Sequence, residues 1–152
     1  MITIKLFRKQ LIVLSKKMKK DINPPKIENV AVAVVKEKNE INADIWNVYI
    51  INQKNETLEN VLVSSKGYIT DMEGHEIKTT ILRHSLGNVK PKNYALIEPI
   101  MENVFALHNE YWVSFYQENV MYDKKYIFLA ETIKEEHLIN IPIINKPGVM
   151  IR

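Results

Sequence analysis

Short segments of β-branched, aromatic and aliphatic residues fill most of the chain after residue 29, and turn-forming residues separate them. Strands of this length and even spacing are typical of a β-sandwich or a β-barrel. No helical periodicity of useful length follows residue 20. We therefore predict an all-β fold, an antiparallel sandwich of about seven strands that is immunoglobulin- or fibronectin-like. The predicted strands cover residues 30–35, 45–51, 61–68, 77–84, 94–97, 111–116, 121–129 and, with Pro142 forcing an edge or a bulge, 138–144.

The hairpin at residues 111–129 shows the clearest alternation. Successive side chains of a strand point to opposite faces, so its first strand presents two sets: Tyr111, Val113 and Phe115 on one face, and Trp112, Ser114 and Tyr116 on the other. If the first set faces the core, Trp112 and Tyr116 lie near a surface, where they are candidate binding residues for a partner. The alternative is that a loop or the C-terminal segment covers them.

The first 22 residues form a basic N-terminal extension, and residues 23–152 form the sandwich domain. Apolar residues in the extension recur at helical spacing and predict a short amphipathic helix or a disordered extension. Either this segment binds a membrane surface or a partner, or it precedes the true start of translation at Met18. The apolar positions are Ile4, Phe7, Leu11, Leu14 and Met18.

Charge and composition exclude several classes of protein. The first 20 residues hold seven basic groups and no acid, whereas the remaining 132 residues hold 14 basic and 18 acidic groups. The body is therefore mildly acidic, and we expect no nucleic-acid partner. No run approaches the roughly 20 apolar residues of a membrane span. The chain has no cysteine, which excludes disulfides and thiolate metal sites and suits a cytoplasmic location.

One dense group of potential metal ligands occurs, at Asp71, Glu73, His75 and Glu76. Gly74 marks this stretch as a turn, and turns are commonly charged for solvation. We predict no metal site there.

Arg83-His84-Ser85 resembles a catalytic group, but consecutive strand residues point to opposite faces, and the Gly-x-Ser-x-Gly elbow is missing. Glu135 and Glu136 are predicted to begin a single helical turn that Thr132 caps. Four glycines supply neither a phosphate loop nor a dinucleotide fingerprint. We therefore predict no catalytic residue and no cofactor, but a non-catalytic binding or structural module with a protein partner.

Five stretches resemble a family of small bacterial proteins without an assigned function: WNVYIIN at 46–52, LENVLVSSKGY at 58–68, LRH at 82–84, ALIEP at 95–99 and INIP at 139–142. Members of this family sometimes carry the label phenylalanyl-tRNA synthetase subunit alpha. The resemblance implies a synthetase-related enzyme or accessory factor as an alternative function. Class II synthetases bind ATP through two motif arginines, whereas Arg83 is followed here by His84-Ser85 rather than by a carboxylate.

Overall fold

Ten strands form the fold over residues 25–152, which are the residues that the computed structural model describes. The extension predicted at residues 1–22 lies outside the described residues. The prediction of an all-β fold is confirmed, and two short 3-10 turns at Glu102–Ala106 and Glu135–His137 are the only helical elements within residues 25–152. The strands are β1 (Val30–Lys38), β2 (Asp44–Asn52), β3 (Leu58–Thr70), β4 (Glu76–Lys78), β5 (Leu82–Val89), β6 (Asn93–Ile100), β7 (His108–Gln117), β8 (Val120–Phe128), β9 (Ile139–Ile141) and β10 (Lys146–Ile151).

The strands make two antiparallel sheets whose facing sides share one core. The first sheet has the order β6-β2-β1-β10-β9. In the second sheet, β7 and then β8 follow β3 on one side, while β5 and β4 pair with successive parts of β3 on the other side. Among the described residues, no helix is long and apolar enough to cross a membrane.

The strand predicted at 77–84 is divided into β4 and β5, and this is one reason why ten strands replace about seven. Thr79 explains the division, because its hydroxyl accepts a hydrogen bond from the Gly67 amide at 2.7 Å. The Thr79 amide donates in turn to the Gly67 carbonyl at 2.9 Å. Residues 86–88, which lie outside the predicted strands, belong to β5, where Gly87 adopts a φ of 69°.

The shared core confirms the predicted faces of β7. Tyr111, Val113 and Phe115 are buried, and Ser114 is only partly buried. Tyr126, which pairs with Tyr111 from the neighbouring strand β8, is fully buried, and its hydroxyl donates to the Val30 carbonyl at 2.7 Å. That bond satisfies a polar group which would be costly to bury alone.

A second, smaller core lies on the other side of β1. It consists of Ala31, Ala33, Val35, Ile51, Ile141 and Ile144. Apolar residues on both faces of β1 are thus explained by burial on both faces. A Cβ atom at Gly148 would lie 2.6 Å from the Val34 carbonyl oxygen and 2.8 Å from Ile141 Cγ1, so this close packing requires glycine.

The C-terminal predictions were partly wrong. Instead of one strand over 138–144, β9 ends at Ile141, a turn follows over 142–145, and β10 returns beside β1. Pro142 lies in that turn, which the Asn145 amide closes by donating to the Ile141 carbonyl at 2.8 Å. The capping role of Thr132 was also wrong, because its hydroxyl donates to the Leu129 carbonyl at 2.6 Å.

Candidate functional site

The outer face of the second sheet carries four large exposed side chains close together. Leu62, Trp112, Tyr116 and Met121 are exposed by 53%, 45%, 42% and 54%. The strand register places Leu62 opposite Ser114 and Tyr116 opposite Met121, so these residues form one patch, which we call the aromatic face. Within residues 25–152 neither a loop nor the C-terminal segment covers it, since the four side chains are exposed and β9 and β10 belong to the first sheet.

A groove of about 490 Å³ runs into the aromatic face. Leu62, Trp112 and Met121 border it, and the small side chains of serines lie between them. Arg83 and Asp123 also line the groove, from β5 and β8 respectively. The groove therefore combines an apolar border with two opposite charges, while Tyr116 lies outside it on the same face. The serines are Ser64, Ser85 and Ser114.

Two neighbours hold the Trp112 indole in place. Its Nε1 donates to Asp123 Oδ2 at 3.0 Å, and Lys125 Nζ lies 4.8 Å from the centre of its ring. The strand register accounts for this arrangement, since Trp112 pairs directly with Lys125. An indole fixed in this way loses little side-chain entropy when another molecule packs on it.

The sequence predicted that the side chains of Arg83, His84 and Ser85 would not converge, and the structure agrees. Arg83 pairs with Ser64 and faces outward, whereas His84 pairs with the buried Val63 and faces the other sheet. No serine–histidine pair for nucleophilic catalysis arises from this segment.

The structure instead brings His84 to Glu98, a residue to which sequence reasoning gave no role. His84 Nε2 lies 3.2 Å from Glu98 Oε2, and the carboxylate is only 11% exposed. Because an ionised carboxylate is only an acceptor, the imidazole nitrogen donates. The two residues belong to different sheets, so this bond joins β5 to β6 across the open edge of the sandwich.

Tyr111 is the third member of this group. Burial raises the pKa of its hydroxyl far above the ordinary value, and the charge of Glu98 raises it further. The hydroxyl therefore stays protonated.

The acidic turn at residues 71–76 is organised around its own backbone. Asp71 Oδ1 accepts from the Glu73 amide at 3.0 Å and from the His75 amide at 2.8 Å. His75 Nδ1 is 3.3 Å from Asp71 Oδ2 and 3.5 Å from Glu73 Oε2, and its side chain is 71% exposed. Glu76 pairs with Lys78 at 3.4 Å. Within residues 25–152, no group of three or more histidines and carboxylates is arranged to hold a metal ion.

Two further carboxylates, Glu135 and Glu37, are bonded to neighbouring side chains. Glu135, which begins a 3-10 turn as predicted, forms an ion pair with Lys36. On the outer side of the first sheet, Glu37 accepts from three residues that tie β1, β2 and β10 together: Asn47 Nδ2 at 2.6 Å, Tyr49 Oη at 2.7 Å and Lys146 Nζ at 2.6 Å.

These partners determine the ionisation of Glu37. Burial alone would raise the pKa of its carboxyl, but the hydrogen bonds from Asn47, Lys146 and Tyr49 and the charge of Lys146 outweigh it and hold the pKa below its usual value. Burial raises the pKa of the Tyr49 hydroxyl, and its bond to Glu37 adds to the shift. Glu37 is thus a charged, fully bonded structural group.

Comparison of the chain with protein-family models and with curated proteins found no match to either. The resemblance to the bacterial family stays a prediction from the sequence.

Proposed function

We propose that the chain is a non-catalytic, cytoplasmic module that binds a protein partner through its aromatic face. The observation that carries this proposal is the exposure of Trp112 and Tyr116 within one apolar patch on a sheet whose opposite side already completes the core. Tryptophan and tyrosine supply much of the binding energy at protein interfaces, and a contiguous exposed apolar patch commonly marks an interaction site.

The groove beside Trp112 supports a partner that inserts an apolar side chain. Small serines provide depth, and the bonded indole provides a fixed border. Arg83 and Asp123 supply opposite charges, which favour a partner with a matching pair over a purely apolar surface.

The separation of Arg83 and His84 onto opposite faces supports a non-catalytic role. We expect no ATP–pyrophosphate exchange with phenylalanine when the purified full chain is assayed. Exchange above background would contradict the proposal and favour the synthetase-related alternative. The immunoglobulin- or fibronectin-like assignment of the sandwich also stays a prediction.

The binding proposal is tested with the full chain as bait in native cell extract, followed by mass spectrometry and by measurement of the affinity for the captured protein. Trp112→Ala with Tyr116→Ala should weaken that affinity by at least tenfold, since each hot-spot side chain contributes about 1–2 kcal/mol or more. Tyr94→Ala is the matched control, because Tyr94 is also 42% exposed but lies on the first sheet.

Unchanged affinity in the double variant, or an equal loss in Tyr94→Ala, would show that the aromatic face is not the docking surface. Circular dichroism of each variant establishes that the fold is kept.

A further inference from the structure

A second concave site lies at the open edge between the two sheets, away from the aromatic face. It is a cavity of about 390 Å³, which we call the inter-sheet cavity. Glu98, Tyr111 and Ser65 line it beside apolar groups of Leu82 and Ile100. Its size falls within the range of small-ligand pockets.

A β-bulge places the carboxylate in this cavity. Val48 pairs with Glu98 and Tyr49 pairs with Leu96, so Ile97 has no partner in β2. The extra residue lets Ile97 and Glu98, which are adjacent in sequence, both face inward. A bulge that re-aims a side chain in this way is a recurrent feature beside functional sites.

The division between β4 and β5 helps to open the cavity. At Lys66 and Gly67 the edge of β3 has no strand partner on that side, and Thr79 alone bonds to the Gly67 backbone. Gly67, Thr79 and Thr80 therefore line the cavity where a continuous edge strand would otherwise run.

Glu98 is the charge that the cavity offers to a ligand. Of the lining residues only Lys66 and Glu98 are charged. Lys66 Nζ lies 3.6 Å from Glu110 Oε2 and 5.6 Å from the centre of the Tyr68 ring, so its ammonium already has partners. A carboxylate has about four acceptor positions. The donor from His84 uses one of them, which leaves acceptor capacity on Glu98 for a ligand.

We propose that the inter-sheet cavity binds a primary alkylammonium group. Its nitrogen donates to Glu98, and its alkyl chain lies against Leu82, Ile100 and Val104. The same chemistry is offered by a free amine and by the lysine side chain of another protein. This site is independent of the aromatic face and of the function proposed for it.

The test is a titration of the isotope-labelled full chain with n-butylammonium, followed by amide chemical shifts in NMR spectra at constant ionic strength. We expect saturable shifts at Gly67, Thr79 and Asn109 below about 50 mM, since a few contacts give millimolar affinity. The neutral n-butanol, of equal chain length, should bind at least about tenfold more weakly because it lacks the charge-assisted bond.

Two variants remove the site by different routes. Glu98→Gln should weaken n-butylammonium binding by about tenfold or more, whereas Glu59→Gln, at an exposed carboxylate of β3 outside the cavity, should not. Leu82→Lys places an ammonium at the cavity and should also block binding, with Leu82→Gln as its uncharged control. Because Leu82 is 48% exposed, this pair tests the site even if Glu98→Gln does not fold.

Trp112→Ala should leave amine binding unchanged, which separates this result from any failure at the aromatic face. Tighter binding of Nα-acetyl-lysine methylamide than of n-butylammonium would assign the site to a protein lysine, and the reverse order to a free amine. The proposal is overturned if n-butylammonium causes no saturable shift at the cavity, if n-butanol binds equally well, or if Leu82→Lys binds the amine as the unaltered chain does.

Discussion

The outer faces of the two sheets both carry apolar residues, yet only the first sheet has part of that face buried. On the first sheet, Ala33 and Val35 are buried together with Ile141 and Ile144 in a second core. On the second sheet, Trp112 remains exposed beside the groove. The difference shows that apolar residues on an outer face predict burial only where another segment of the chain returns to that face.

Removing a covering side chain of the first sheet should have the largest effect. Ile141→Ala should lower the free energy of unfolding by about 2–5 kcal/mol, because a fully buried isoleucine leaves a cavity. Ile139→Ala, two residues earlier in β9 and 52% exposed, should cost less than about 1 kcal/mol. Urea denaturation of both variants measures the difference, and equal losses would mean that Ile141 does not cover the first sheet.

Adding one methyl group at Gly148, which packs against Ile141, should have the next largest effect on stability. Gly148→Ala should cost about 1–3 kcal/mol, because the new Cβ meets the Val34 carbonyl and Ile141 at less than 3.0 Å. Ser64→Ala on the uncovered face should change the stability by less than about 0.5 kcal/mol. A thermal melt in which Gly148→Ala matches the unaltered chain would contradict the close packing described here.

Acidification should weaken the first sheet through Glu37. Its folded-state pKa lies below the ordinary value of 4.5, so its contribution to stability is present above that pH and is lost as the pH falls through the folded-state pKa. Glu37→Gln should therefore melt at a lower temperature than the unaltered chain near neutral pH, with the gap narrowing below pH 4.5. Glu40→Gln, in the exposed turn before β2, serves as the control and should leave the pH profile unchanged.

The smallest change in stability is expected at exposed tyrosines of either sheet. Tyr116→Ala and Tyr94→Ala should each cost less than about 1 kcal/mol in the isolated chain, since both side chains are 42% exposed. If calorimetry shows that Tyr116→Ala alone lowers the free energy of unfolding by several kcal/mol, another segment of the chain must cover Tyr116.

The faces of β7 could be predicted from the sequence, because a period of two is a local property that tertiary packing of one face preserves. The exposure of Trp112 could not be settled in the same way. It depends on where residues 139–151 return, and the return beside β1 is a long-range pairing. Pro147 and Gly148 weaken the local strand pattern of β10, which is why this strand was missed.

The inward orientation of Glu98 could not be predicted from the sequence either. Strict alternation from Ile97, a core residue, would have turned Glu98 outward, and only the bulge opposite Val48 reverses that assignment. The sole local signal is a carboxylate between an apolar stretch and Pro99. In contrast, the division at Thr79 follows from a side-chain bond to Gly67 that competes with strand pairing.

The pairing of β1 with β10 also affects how the chain reaches its fold. Val32 pairs with Ile151, so the first and last strands of the described chain become neighbours only after nearly all of it has been synthesised. Contacts so distant in sequence slow folding. Until β10 arrives, the Val-Ala-Val-Ala-Val-Val edge of β1 has unpaired backbone groups and high β-propensity, a combination that favours pairing with other chains. Aggregation during synthesis is therefore the characteristic hazard of this topology, and it ends when β10 closes the edge.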